Sequence, residues 1–210
     1  MTVPPLDYPV LHNRVYDVVA HRKAADRLLL RGTVMDTKPA GVYIPDDPEP
    51  MTIHHMVVDI EIAVPELTIV DARLVMEVHP HVECRRIEDH YRELIGLSIT
   101  RGYTHKVREL FGGPRGCTHT TALLQAMGPV AFQSMWSMRM EESSGVNLDI
   151  TIEEQRERTK LNLNTCHVWA EDGPMLDRLN RDVMLPIPIW AADRMRKLGK
   201  VPADWRNGED

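Results

Sequence analysis

The spacing of apolar residues changes once along this chain, and that change limits the folds open to it. Apolar and polar residues alternate in residues 51–63, and they alternate again in residues 67–78 after a turn at Val64-Pro65-Glu66. Strict alternation is the pattern of a half-buried strand. Residues 27–37, rich in Leu and Val, supply a further strand. The sequence therefore predicts a three-stranded antiparallel sheet whose last two strands form a hairpin.

After Cys84 the period of the apolar residues lengthens to that of a helix. One helical face begins near Ile87, and residues 103–111 predict a second, short helix. A longer helix is expected from about Cys117, kinked or broken at Gly128-Pro129. Strands followed by helices predict an α+β fold.

Three segments are expected along the chain. Residues 1–24, with scattered prolines, predict an irregular lead-in, and residues 25–185 predict a single α+β domain. Residues 186–210 predict a C-terminal arm that packs on this domain or on a second subunit, which is compatible with a homodimer.

The composition narrows the class of protein. A chain of 210 residues with 43% hydrophobic and 27% charged residues is typical of a globular protein, and its net charge of −6 argues against nucleic acid or an anionic membrane as partner. The start lacks the pattern of a secretory signal. An odd count of three cysteines favours reduced thiols. We therefore expect a cytoplasmic protein that acts on a small molecule.

Each cysteine stands close to histidine, and the Cys117-Thr118-His119 sequence is the most informative of the three clusters. A cysteine at the start of a helix has its thiolate stabilised by the helix dipole. A neighbouring histidine can then act as base. The alternative is that Thr118 caps the helix and Cys117 is a small buried residue.

The other two clusters suggest metal binding. Cys84 follows His79, His81 and Glu83, a group that could hold zinc or iron, although its spacing fits no standard zinc pattern and a polar loop explains it equally well. The pair Cys166-His167 could belong to the same site or be a core cysteine beside a surface histidine. Four soft ligands, from Cys84, Cys117, Cys166 and either His119 or His167, would make a closed metal site.

Other polar residues are candidates for substrate binding. Arg101 and Arg108 could clamp a carboxylate or phenolate, and Tyr103 could donate a proton. Asp59 lies on the more polar side of the hairpin, where it contacts substrate only if helices cover that side. The pair His54-His55 could ligate a metal, but neighbouring side chains of a strand point to opposite faces.

Several of these segments resemble a bacterial family known as domain of unknown function 2889. The resemblance rests on Leu67-Thr68-Ile69-Val70-Asp71-Ala72-Arg73, Leu94-Ile95-Gly96, Val107-Arg108-Glu109-Leu110 and above all Gly116-Cys117-Thr118-His119. With Cys166-His167 it extends over most of residues 25–185. The family name implies a site and no particular reaction.

A more distant resemblance is to the NifU-type iron–sulfur scaffold proteins. Those proteins have three antiparallel strands followed by cysteines in the order of Cys84, Cys117 and Cys166 here. This chain departs from them at Arg85-Arg86, which replaces a Gly-Asp pair, and in the reversed order of Cys166-His167. The resemblance implies a NifU-like fold more than a retained cluster.

Three functions follow from these residues. The first is a lyase or isomerase with catalytic Cys117, His119 and Tyr103, acting by general acid–base chemistry on an apolar aromatic or phenolic compound. No Rossmann or P-loop glycine pattern is present, which argues against a nicotinamide or ATP enzyme; no cofactor is assigned, and zinc or iron stays open. The second is a zinc- or iron-binding scaffold, and the third is a non-catalytic binding protein with buried cysteines.

Overall fold

The computed structural model describes residues 6–100, 102–143 and 150–200. The chain forms two compact units, Met1–Gly145 and Val146–Asp210. Residues 25–185, expected as one domain, are therefore divided between them.

The first unit is built on a four-stranded antiparallel sheet. Its strands are β1 Asn13–Ala24, β2 Arg27–Lys38, β3 Met51–Ala63 and β4 Thr68–Val78, in the order β1-β2-β3-β4. The prediction of three strands is wrong because β1 was expected to be part of an irregular lead-in. This edge strand is exposed along most of its length, so it lacks the alternating apolar residues that mark a half-buried strand.

Helices cover one face of this sheet. They are a 3-10 helix at Val82–Leu94, α1 at Tyr103–Phe111 and α2 at Thr118–Glu142, with a further 3-10 turn at Gly113–Arg115. The core between the sheet and the helices includes Leu30, Val34, Ile60, Val107, Leu123 and Met127. The α+β class is thus confirmed.

Helix α2 lies close to β2 because Gly32 has no side chain. A Cβ atom at Gly32 would lie 2.8 Å from Met127 Sδ and 3.1 Å from Leu123 Cδ1. A kink or a break was expected at Gly128-Pro129; the break is wrong, since α2 continues through Pro129, and the kink stays a prediction. Buried residues on both sides of the proline hold the two halves of the helix against the core and offset the backbone hydrogen bond that proline cannot make.

The second unit contains three α-helices among its described residues: α3 Ile152–Thr159, α4 Pro174–Asn180 and α5 Ile189–Lys197. Short 3-10 turns occur at Lys160–Asn162 and His167–Trp169. The capping box predicted at the start of α3 is confirmed: Glu154 N–H donates to Thr151 Oγ1, and Thr151 N–H donates to the Glu154 carboxylate. Within the described ranges, no helix has the length and apolar character needed to cross a membrane.

Candidate functional site

A buried carboxylate lies on the helix-covered face of the sheet. Every second residue of β2 points to this face, so Asp36 follows Leu28, Leu30 and Val34 into the interior and is 0% exposed. Arg14, its partner on β1, donates from Nε to Oδ1 at 2.6 Å and from Nη2 to Oδ2 at 2.7 Å. This two-bond pairing neutralises the buried charge and fixes the plane of the carboxylate.

Two imidazole rings meet at the same carboxylate oxygen. His54, paired with Asp36 across the β2–β3 ladder, places Nδ1 3.1 Å from Oδ2. His119, in the first turn of α2, places Nε2 3.1 Å from the same oxygen. The two rings stack with centroids 3.9 Å apart. His12 Nε2 is more distant, 3.5 Å from Oδ1.

Cys117 completes a line of three functional groups. It is the N-cap residue of α2, and its Sγ lies 3.6 Å from His119 Nδ1. Its backbone N–H donates to the buried hydroxyl of Tyr91 at 2.8 Å, which holds the residue in place. Because Nε2 faces the Asp36 carboxylate, we assign the ring proton to Nε2, which leaves Nδ1 free to accept the thiol proton. We call Cys117, His119 and Asp36 the triad.

The surroundings keep Asp36 charged and His119 neutral. The hydrogen bonds from Arg14 hold the pKa of Asp36 well below its usual range, against the opposing effect of burial. Burial lowers the pKa of His119, and electrostatic interactions with His54 and Arg14 lower it further, while Asp36 opposes them. A neutral imidazole oriented by a carboxylate is the state in which histidine accepts a proton.

Cys117 and His119 of the triad border an open cavity of about 520 Å³. That volume is within the range of about 300–1,000 Å³ typical of small-molecule sites. Residues of β3, β4, the 3-10 helix and the start of α2 line it; they are His54, Met56, Met76, Pro80, His81, Glu83, Cys84, Ile87, Gly116, Cys117, Thr118 and His119. The methionines and Ile87 make much of this wall apolar.

The same residues could hold a metal ion. Asp36, His54 and His119 each offer one ligand atom, and these atoms all lie within 4.8 Å of one another. Two imidazoles and a carboxylate with a remaining open position are a common ligand set for catalytic zinc. The hydrogen-bonded triad and a metal ion would use the same nitrogen of His119, so they are alternative states of one site.

The structure brings together six of the residues selected from the sequence, which all line the cavity: His54, His81, Glu83, Cys84, Cys117 and His119. Tyr103 does not. Its side chain is a core residue that packs against α2, where a Cβ atom at Gly128 would lie 3.0 Å from the Tyr103 ring. Its hydroxyl is buried without a hydrogen-bond partner among the described residues, and burial raises its pKa. We therefore do not retain Tyr103 as the proton donor.

The expected substrate-binding residues lie elsewhere. Arg108 is exposed and donates from Nε to Gln125 Oε1 at 3.2 Å. Asp59 points to the sheet face opposite the helices, where it pairs with Arg31. Arg101 falls outside the described residues. Neither Arg108 nor Asp59 lines the cavity.

The metal ligands expected from Cys84, Cys117, Cys166 and His167 are divided between the two units. Cys166 is exposed and precedes the 3-10 turn His167–Trp169 of the second unit. A cluster that uses all four residues stays a prediction.

Sequence analysis missed Asp36 and gave His54 little weight. A detectable signal existed for both. Asp36 continues the inward positions of the Leu- and Val-rich strand, and His54 continues the inward positions that begin at Met56 on β3. A charged residue at an inward position of a strand has to be paired. The sequence alone therefore indicates a polar site at these positions.

Comparison with known proteins identifies the family. A family model described as "Protein of unknown function (DUF2889)" matches residues 12–133, more than half of the chain, and the chain belongs to this family. The matched region contains the whole triad, His54 and Cys84, whereas Cys166-His167 lies beyond it. No curated protein and no solved structure matches the chain, so the NifU likeness has no support.

Proposed function

We propose that this DUF2889 protein is a small-molecule enzyme, a lyase or isomerase, whose cavity binds an apolar aromatic or phenolic carbonyl compound. One observation carries the proposal: Sγ of Cys117 lies 3.6 Å from Nδ1 of a histidine whose Nε2 lies 3.1 Å from a buried carboxylate. This is the arrangement by which proteins activate a thiol.

Each member of the triad has a role. His119 accepts the Cys117 proton at Nδ1, which converts the thiol into a thiolate. The charged Asp36 stabilises the imidazolium that forms. It also keeps the ring in its orientation, since it accepts the hydrogen bond from Nε2–H throughout. The thiolate then removes a proton from a carbon atom next to the substrate carbonyl.

The lining of the cavity supports an apolar substrate. Met56, Met76 and Ile87 offer apolar surface, and flexible methionines adapt well to flat ring systems. Among the described residues that line the cavity, none is lysine or arginine. This favours a neutral aromatic or phenolic compound over one that carries a carboxylate.

Proton NMR in D2O tests the proposal. Aromatic and phenolic carbonyl compounds would first be selected by their thermal stabilisation of the protein. We expect the wild type to exchange the hydrogen next to the carbonyl for deuterium, and His119→Asn to do so about 10²–10⁴-fold more slowly. His105→Asn, at an exposed position of α1, is the matched control and should leave the rate unchanged. Equal rates in the wild type and His119→Asn would refute the proposal.

A divalent metal enzyme is the second candidate, favoured by the convergence of Asp36, His54 and His119 within 4.8 Å. Zinc held there would supply a Lewis acid at the edge of the cavity. His54→Asn separates the two candidates, because His54 is a metal ligand but not a member of the triad. If zinc is the cofactor, elemental analysis finds about one zinc per chain in the wild type and none in His54→Asn, and activity falls with the metal. If the triad acts alone, neither the wild type nor His54→Asn contains stoichiometric zinc.

A further inference from the structure

Two thiols face the same cavity from different parts of the fold. Cys117 lies at the start of α2, and Cys84 lies in the 3-10 helix Val82–Leu94. Both are half-buried and both are free thiols. Cys117 contacts His119, whereas Cys84 Sγ has no hydrogen bond or ion pair within the part of the chain that the structure describes. The cavity thus offers one thiol beside a base and one thiol without a hydrogen-bond partner among the described residues.

We infer that Cys84 is the second proton-transfer group of this cavity, and that the reaction is a proton shift within a carbonyl compound bound between the two thiols. This inference rests on the proposed function and narrows it to an isomerase. A single base can remove a proton and return it to the same face of a planar intermediate. A second acid on another wall of the cavity can deliver a proton to the other face or to a neighbouring carbon.

The steps balance without an oxidant or a further reactant. The Cys117 thiolate takes a proton from the carbon next to the carbonyl; the C–H bond breaks, an S–H bond forms, and the electron pair moves to the carbonyl oxygen as an enolate. The enolate then takes the Cys84 proton at carbon, which forms a new C–H bond and leaves Cys84 as thiolate. Proton exchange with water and His119 restores the starting state.

The apolar part of the cavity lining is compatible with a proton shift between the two thiols. Met56 and Met76 carry no exchangeable proton, so on that side they offer no group that competes with the two thiols. The required substrate is therefore a mainly apolar carbonyl compound with an acidic C–H bond, short enough to lie between Cys84 and Cys117.

A bifunctional thiol reagent tests the geometry on the full-length protein without a known substrate. Dibromobimane becomes fluorescent when both of its ends have reacted with thiols. We expect a cross-link between Cys84 and Cys117, located by mass spectrometry, that is lost in Cys84→Ser and in Cys117→Ser and kept in Cys166→Ser. Alkylation of both thiols without a cross-link would overturn the inference.

Deuterium exchange distinguishes failure of the inference from failure of the proposed function. With a compound that the wild type isomerises in D2O, Cys84→Ser should slow isomerisation by about 10²-fold or more. The same variant should still exchange deuterium at the carbon from which Cys117 removes the proton. Unchanged isomerisation in Cys84→Ser would overturn the role of Cys84 without contradicting the role of the triad. Unchanged deuterium exchange and isomerisation in Cys117→Ser would also contradict the catalytic role proposed for the triad.

Discussion

His119 Nε2 lies 3.1 Å from Asp36 Oδ2, an oxygen that the fold buries completely. The two residues are 83 positions apart (119 − 36) and come from a helix and a strand. Their contact fixes the imidazole, and Cys117, two residues before His119, is thereby placed at the free Nδ1. The buried carboxylate of the sheet therefore orients the imidazole that lines the edge of the cavity.

Replacing Asp36 by Asn should destabilise the protein, because the negative charge is lost and an amide can accept only one of the two hydrogen bonds from Arg14. The Arg14 side chain is 34% exposed, so water offsets part of the loss, and we expect the free energy of unfolding to fall by about 1–3 kcal/mol. Urea denaturation measures this change.

Asp59→Asn is the matched control for that experiment. Asp59 also receives two hydrogen bonds from an arginine, Arg31, but on the exposed face of the sheet. Its loss should cost about 0–1 kcal/mol. An equal effect of the two variants would show that the burial of Asp36 adds nothing to the strength of its pairing.

The pH dependence of stability should report the neutral state of His119. Burial lowers the pKa of His119 in the folded protein, whereas the unfolded chain has the ordinary histidine pKa of 6.5. As pH falls below 6.5, the unfolded state binds more protons than the folded state, and the free energy of unfolding decreases. His119→Asn lacks this contribution, so any stability advantage of the wild type over the variant should shrink from about pH 7 to about pH 5.

Chemical denaturation at several pH values measures that difference. His105→Asn, which removes an exposed histidine of α1, is the matched control over the same range. A wild-type advantage over His119→Asn that grows towards acid pH would mean that His119 is charged in the folded state.

Tyr91 should matter for the position of Cys117. Its hydroxyl accepts the Cys117 N–H at 2.8 Å, so Tyr91→Phe leaves a buried donor without a partner at a cost of about 1–3 kcal/mol. The variant should also slow alkylation of Cys117, because the residue is held less firmly beside His119.

Tyr103→Phe provides the comparison. The Tyr103 hydroxyl is buried without a hydrogen-bond partner in the described structure, so its removal leaves no group unsatisfied. We expect no loss of stability and no change in Cys117 alkylation. If thermal unfolding and alkylation rates do not distinguish Tyr91→Phe from Tyr103→Phe, the hydrogen bond to Cys117 is unimportant.

The sequence predicts the local elements of this protein better than their assembly. The alternation in β3 and the capping box at Thr151 depend on neighbours in the chain, and both occur as expected. Strand β1 forms a hairpin with β2, but it is an edge strand whose side chains are mostly exposed, so its sequence lacks the alternation that marks a half-buried strand. The candidate site shows the same contrast between local pattern and assembly. Cys117-Thr118-His119 is a local motif, whereas Asp36 joins it only through the packing of α2 on β2.

The rate at which iodoacetamide alkylates Cys117 at neutral pH, followed by mass spectrometry, tests the triad most directly. Cys166 in the same molecule serves as the reference, because it is an exposed thiol of the second unit. We predict that Cys117, although half-buried, reacts faster than Cys166 in the wild type and loses that advantage in His119→Asn and Asp36→Asn. A Cys117 that reacts no faster than Cys166, or at the same rate in all three proteins, would contradict thiol activation by His119 and Asp36.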